Sequence, residues 1–64
     1  MFNEHDSVIL KNENDKVPLP IGSRGAIVYV HDAHPLVYEV EFVDSDGNTI
    51  GVHTVEGADL TAVG

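Results

Sequence analysis

The 64-residue sequence contains no cysteine and only three positively charged residues. Without cysteine the chain forms neither disulfides nor thiolate zinc sites, which are common supports for so small a core. No apolar run approaches the roughly 18 residues of a membrane span. Residues 1–6 also lack the basic start of a secretory signal. These absences argue against export and membrane insertion, and they favour a cytoplasmic protein.

Negative charge dominates the composition. Eleven acidic residues stand against Lys11, Lys16 and Arg24, which gives a formal net charge of -8. Nucleic-acid binding draws much of its free energy from lysine and arginine, and three scattered cations do not form the required stripe. The charge therefore disfavours a nucleic-acid partner and suits a protein partner that is more basic than this chain. The alternative is that the acidity only maintains solubility.

The pattern of apolar residues predicts an all-β fold. Five segments have the composition of strands, and none shows a sustained 3.6-residue apolar period. A length of 64 residues predicts a single domain over residues 1–64. A domain of about 60 residues buries only roughly 60% of the surface that its unfolded chain exposes, so its stability should be modest. The predicted strands are residues 7–11, 26–31, 36–43, 49–55 and 60–63, with one short helical turn at residues 56–59.

The third and fourth predicted strands form a hairpin. A three-residue loop at 45–47 brings the apolar residues of both strands to one side, and Gly47 supplies the left-handed conformation that such a turn requires. On the inward side, this register pairs Phe42 with Ile50, Val40 with Val52 and Tyr38 with Thr54. On the outward side, it pairs Glu41 with Gly51 and Glu39 with His53.

The segments before this hairpin are less regular. Residues 12–16 have no apolar side chain and residues 17–21 are held extended by prolines, so together they form one long loop. The second strand, residues 26–31, is apolar almost throughout. This continuous run implies either burial on both sides or a bulge that switches sides midway.

The order of these segments is that of the SH3-like barrels, with five strands and a one-turn 3₁₀ helix before the last. Residues 22–27, in which glycine precedes a β-branched residue entering a strand, resemble the turn of the KOW motif. Residues 6–10, 22–25, 38–42 with 46–47, and 58–60 resemble a family of small bacterial proteins catalogued as a domain of unknown function. Some members are thought to be encoded beside toxins, which implies an antitoxin-like or immunity-like role.

The sequence gives little support for a metal site or for catalysis. His31, Asp32 and His34 are the closest group of metal-ligand types, but no second cluster completes a site, so no metal is predicted. Residues 44–48 resemble the start of a calcium loop, yet a bulged hairpin turn requires the same residues. No serine has a histidine at a spacing that suggests a base. We therefore predict no catalytic residue, no cofactor and no enzymatic activity.

Outward-facing residues of the second to fourth strands form the candidate site. If Phe42, Val40 and Tyr38 point inward, several valines and a tyrosine point outward beside two glutamates. Such a patch is a candidate docking surface, the alternatives being ordinary surface or the seam of a homodimer. The predicted partner-binding residues are Tyr29, Val37, Glu39, Glu41, Val43 and Val55.

These observations predict a non-catalytic module that binds a partner protein and blocks or stabilises it. One alternative is a KOW-type module associated with RNA or the ribosome, which would make its contacts through residues 22–26 and Arg24. A second alternative is an acidic mimic of nucleic acid that inhibits a nucleic-acid-binding enzyme.

Overall fold

The computed structural model describes residues 2–32 and 35–63. Its strands are β1 (Ser7–Leu10), β2 (Arg24–His31), β3 (Val37–Val43), β4 (Thr49–Glu56) and β5 (Leu60–Ala62), and a 3₁₀ turn (Gly57–Asp59) precedes β5. Neighbouring strands are antiparallel, in the order β4-β3-β2-β1-β5. The predicted all-β class, strand number and helical turn are confirmed. Within these ranges no pairing joins β4 to β5, so the sheet is open and a closed barrel stays a prediction.

One side of the sheet buries the apolar core. β3 shows the alternation clearly, because Tyr38, Val40 and Phe42 are buried while the residues between them are partly exposed. The Tyr38 hydroxyl accepts a hydrogen bond from the Phe2 backbone N–H at 3.2 Å, which satisfies the polar end of a buried side chain. The buried hydrophobic residues of the described chain are Val8, Leu10, Val17, Ile27, Tyr38, Val40, Phe42, Val55 and Leu60.

The loop between β3 and β4 has the predicted conformation. Gly47 has a φ of 85°, in the left-handed region that favours glycine. Its N–H donates to the Asp44 carbonyl at 3.0 Å, and the Asp44 N–H donates to the Asn48 carbonyl at 2.9 Å. The predicted three-residue turn is confirmed.

The predicted register beyond this loop is wrong, because β4 contains a bulge. Val43 faces Thr49, but the preceding residue of β3, Phe42, faces Gly51. Ile50 is therefore an extra residue in β4 with no counterpart in β3. A Cβ atom at Gly51 would meet only the His53 ring, with Nε2 at 3.3 Å.

This bulge inverts the inward and outward sides of β4. Val55, predicted to point outward, is 1% exposed and belongs to the core. Ile50 and Val52, predicted to point inward, are 52% and 54% exposed. The observed pairs are Val40 with His53, Tyr38 with Val55, Glu39 with Thr54 and Glu41 with Val52, which replace the predicted pairs.

A second bulge interrupts β2. The continuous apolar run of this strand predicted either such a bulge or burial on both sides. Ile27 faces Val40 and Tyr29 faces Glu39, so Val28 is the extra residue. Ile27 is fully buried, whereas Val28 and Tyr29 are exposed. The strand changes side midway, and the alternative of burial on both sides is excluded.

The loop between β1 and β2, residues 11–23, packs against the 3₁₀ turn. The side-chain amides of Asn12 and Asn14 donate to the two Asp59 carboxylate oxygens at 3.3 and 3.0 Å. The Lys11 N–H donates to the Asp59 carbonyl at 2.8 Å. Val17 reaches the core from this loop and is 2% exposed. The predicted long loop is thus held in a defined position.

In the described ranges, no helix has the length and apolarity that a membrane span needs.

At Gly25, β2 approaches β3 so closely that no side chain fits. It is buried, and a Cβ atom at this position would lie 2.6 Å from the Glu41 carbonyl oxygen and 2.8 Å from Val40 Cγ1. Both distances are shorter than real Cβ contacts allow, so a side chain at Gly25 requires the strands to move apart.

Replacing Gly25→Ala is expected to lower the free energy of unfolding by about 1–3 kcal/mol, because the added methyl group overpacks against the β3 backbone. Gly51→Ala is the matched control. The nearest atom to its added Cβ is His53 Nε2 at 3.3 Å, on a partly exposed side chain that can move. Urea unfolding followed by circular dichroism measures both variants. An equal loss in the two, or none at Gly25, would contradict the close approach.

Candidate functional site

The sheet has one exposed side on β2, β3 and β4, which we call the outer face. Directly paired residues of antiparallel strands point to the same side, so Tyr29, Glu39 and Thr54 form one row across the three strands. The outer face consists of Arg24, Ala26, Tyr29 and His31 from β2, Val37, Glu39, Glu41 and Val43 from β3, and Thr49, Val52, Thr54 and Glu56 from β4.

Five of the six predicted partner-binding residues lie on this outer face, namely Tyr29, Val37, Glu39, Glu41 and Val43. The sixth, Val55, is in the core, so its prediction as a surface residue is wrong. Sequence reasoning missed Val52, which lies on the outer face beside Glu41, and the exposed bulge residue Ile50. Gly51 inside a strand was the available signal, because an isolated glycine in a strand often marks a bulge.

Exposed apolar side chains concentrate on these strands. Tyr29 and Val52 are 53% and 54% exposed on the outer face, and the bulge residues Val28 and Ile50 are also exposed. Among the described residues, four of the six large exposed hydrophobic side chains belong to β2 and β4. Apolar side chains grouped around charged ones are typical of a docking surface.

Glu39 is held by contacts from both neighbouring strands. Its carboxylate accepts hydrogen bonds from His31 Nε2 at 2.6 Å and from Thr54 Oγ1 at 2.9 Å. Because an ionised carboxylate only accepts, Nε2 of His31 carries a proton in this contact. The His31 hydrogen bond is the largest cause that holds the pKa of Glu39 below its usual value. Partial burial acts in the opposite direction and raises this pKa. The Thr54 hydrogen bond and the charge of His31 lower it further.

Two further contacts order the outer face. The Tyr29 ring meets the His31 ring edge-on, with the ring centroids 4.9 Å apart. Because His31 bonds to Glu39, this contact links Tyr29 to the Glu39 carboxylate along β2. Glu41 accepts a hydrogen bond from Thr49 Oγ1 at 3.1 Å. The outer face therefore presents two carboxylates, each already oriented by a neighbouring side chain, between exposed apolar groups.

A groove of about 550 Å³ lies beside the outer face. β4 lines it together with the long loop that Asp59 holds in place. Its lining residues are Asn14, Lys16, Pro35, Val37, Val52, His53, Thr54 and Glu56.

The structure also gives the surroundings of the residues that were considered as metal ligands but not predicted to be a site. His31 bonds to Glu39, while His34 lies outside the described ranges. Within residues 2–32 and 35–63, no three His, Asp or Glu side chains are grouped so as to hold a metal ion. In the calcium-like segment, Asp44 Oδ1 accepts the N–H groups of Asp46 and Asn48 at 2.9 Å, which confirms the turn.

Family comparison gives a match over residues 4–62, almost the whole chain, to a family described as a domain of unknown function (DUF4926). The chain therefore belongs to this family, and the predicted membership of a family of unknown function is confirmed. The SH3-like and KOW-like assignments and the toxin neighbours stay predictions. Comparisons with curated proteins and with solved structures found no match.

Replacing Glu39→Gln is expected to flatten the dependence of stability on pH. Folding lowers the pKa of Glu39 from its usual 4.5, so its contribution is present above that value and lost as the pH falls through the folded pKa. The thermal midpoint of the unmodified chain should therefore fall more steeply below about pH 4.5 than that of Glu39→Gln. Thr54→Val, which keeps the His31 contact, should give an intermediate slope. Identical pH profiles for the chain and Glu39→Gln would refute this.

Replacing Asp59→Ala is expected to loosen the long loop, because both asparagine side chains lose their carboxylate acceptor. Each lost hydrogen bond should cost about 0.5–1.5 kcal/mol. The measurement is hydrogen exchange of the Lys11 and Val17 amides, which bond to Asp59 and Asn14 carbonyls. Glu13→Ala, at an exposed position of the same loop, is the control. Unchanged exchange in Asp59→Ala would show that the loop is held by other contacts.

Proposed function

We propose that this chain is a non-catalytic module that binds a partner protein through its outer face and thereby blocks or stabilises that partner. The partner is more basic than this chain, and both meet in the cytoplasm. The residues that carry the contact are Tyr29, Val37, Glu39, Glu41 and Val43 from the sequence prediction, together with Val52.

The observation that carries this proposal is the grouping of exposed apolar side chains around oriented carboxylates. Tyr29 and Val52 are each more than half exposed and lie in the rows of Glu39 and Glu41, respectively. Aromatic and aliphatic side chains provide contact area, while acidic groups at their side select a partner by charge. A formal net charge of -8 attracts a basic partner over a longer range.

The finer architecture that we propose is an SH3-like barrel that stays open between β4 and β5. The strand order β4-β3-β2-β1-β5 and the 3₁₀ turn directly before β5 support it. Both bulges support it as well, since bulges bend strands where a sheet curls. An antitoxin-like or immunity-like role is proposed from the family resemblance, and occlusion of a basic surface on the partner would serve it.

RNA binding through the KOW-like turn has weaker support. Arg24, the cation of that turn, lines a cavity of about 490 Å³ together with Asp44. A phosphate that approaches Arg24 there also approaches a carboxylate, which opposes binding. The alternative of nucleic-acid mimicry relies on the same negative charge. It differs from our proposal in that the partner would be a nucleic-acid-binding enzyme.

Affinity capture from the producing cells tests the proposal. The tagged chain should retain a basic protein in stoichiometric amount, and retention should weaken as salt rises from about 50 to about 500 mM, because charge contributes to the contact. Tyr29→Ala and Glu41→Lys should each lose most of the retained protein, since they remove an exposed contact or reverse a charge on the outer face.

Ile21→Ala is the matched control, because Ile21 is 55% exposed but lies in the long loop and is not part of the outer face. It should retain the partner as the unmodified chain does. Equal retention by all variants would overturn the proposal. Displacement of the retained protein by added DNA or RNA would favour the mimicry of nucleic acid, and retention of RNA itself would favour the KOW-type module.

A further inference from the structure

β4 is a long strand at an open edge of the sheet. It spans eight residues and pairs with β3 alone among the described strands. The opposite edge strand, β5, has only three residues. An edge strand presents a row of backbone N–H and C=O groups that can pair with another extended chain.

The hydrogen-bond pattern shows which backbone groups of β4 are free to do so. At the end of the ladder, Gly57 N–H donates to the Leu36 carbonyl at 3.0 Å, so these opposed residues form a hydrogen-bonded pair. Hydrogen-bonded and non-hydrogen-bonded pairs alternate in an antiparallel ladder. Val52, Thr54 and Glu56 therefore form non-hydrogen-bonded pairs with β3. The backbone N–H and C=O groups of these three residues point away from β3.

These same three residues line the groove between β4 and the long loop. Within the described ranges, no turn or loop hydrogen bond reaches their backbone groups. Lys16 and Asn14 line the groove from the loop, and no ion pair within 4.0 Å joins Lys16 to Glu56 in the described structure. The groove therefore has an unpaired strand edge on one side and room beside it.

We propose that an extended, basic segment of the partner protein adds as a further strand to β4 in this groove. This inference rests on the proposed function and specifies how the partner is held. Main-chain hydrogen bonds to Val52, Thr54 and Glu56 supply affinity, and alternate side chains of the added strand supply specificity.

Charge determines the chemistry of this segment. An added strand places every second side chain beside the outer face, next to Thr54, which bonds to Glu39, and next to Glu56. Lysine or arginine side chains on this side meet the Glu56 carboxylate, and their aliphatic stems pack against Val52. A second copy of β4 would bring together two chains that each carry a formal charge of -8. The occupant is therefore a basic segment of another protein and not a second copy.

The test uses the full chain and a capped peptide of alternating lysine and valine, with a peptide of alternating glutamate and valine as its charge control. The lysine peptide should bind saturably, and it should slow hydrogen exchange at the amides of Val52, Thr54 and Glu56 by about tenfold or more, because these N–H groups gain acceptors. No binding up to millimolar peptide, equal binding of the glutamate peptide, or protection confined to other amides would each overturn the inference.

A proline substitution isolates the backbone contribution. Val52→Pro removes an outward N–H that β3 does not use, so the β3–β4 ladder remains while the contact to the peptide is lost. Val52→Ala shortens the same side chain but keeps the N–H. We expect Val52→Pro to weaken peptide binding about tenfold and Val52→Ala to weaken it less than about threefold. Equal affinities of the two variants would overturn strand addition, and the exchange measurement decides the matter if Val52→Pro does not fold.

Two further outcomes separate this inference from the proposed function. If the protein captured from cells depends on Tyr29 and Glu41 but is retained equally by Val52→Pro and Val52→Ala, the proposed function stands and strand addition is wrong. If β4 amides broaden with protein concentration in the absence of peptide, a second copy occupies the edge and the inference is overturned.

Discussion

The structure depends on the strict alternation of β3, which buries Tyr38, Val40 and Phe42 on one side along its whole length. Each neighbour of β3 accommodates this alternation by inserting one extra residue, Val28 in β2 and Ile50 in β4. Both extra residues are apolar and exposed. The same adjustment that lets the neighbouring strands bend over the core thus adds exposed apolar side chains next to the outer face.

Two carboxylates of the outer face are already engaged by neighbouring side chains. Glu39 already has hydrogen-bond donors from His31 and Thr54, and Glu41 has one from Thr49. Side chains that are already oriented lose less conformational freedom on binding, which would favour a specific partner in the function proposed above. Since the Glu39 carboxylate also bridges β2 and β4 through β3, the outer face and the central part of the sheet share one set of contacts.

Much of this fold could be predicted from the sequence, because local chemistry determines it. The residues around Gly47 specify a bulged turn by themselves, and the apolar run of β2 requires either a bulge or burial on both sides. The register of β4 could not be predicted from alternation alone. In the sequence, Ile50 and Val52 look like core residues. The register of β4 that would bury them differs by one residue from the register that buries Val55. The structure has the register that buries Val55, in which Gly51 lies opposite Phe42. Five of the six predicted site residues reach the outer face because they belong to β2 or β3, whose register with each other is independent of this error.

The position of β5 affects how exposed the sheet edges are while the chain is only partly folded. This three-residue strand covers the outer edge of β1, and it joins the sheet only when the two ends of the described chain meet. Because contacts between distant residues form late, the meander of β2, β3 and β4 can assemble while β1 still lacks its neighbour. During that interval both margins of the sheet are uncapped, and mutual repulsion between strongly acidic molecules is then the main protection against fibril-like stacking. The acidity of this protein thus acts as a gatekeeper against aggregation of the partly folded chain.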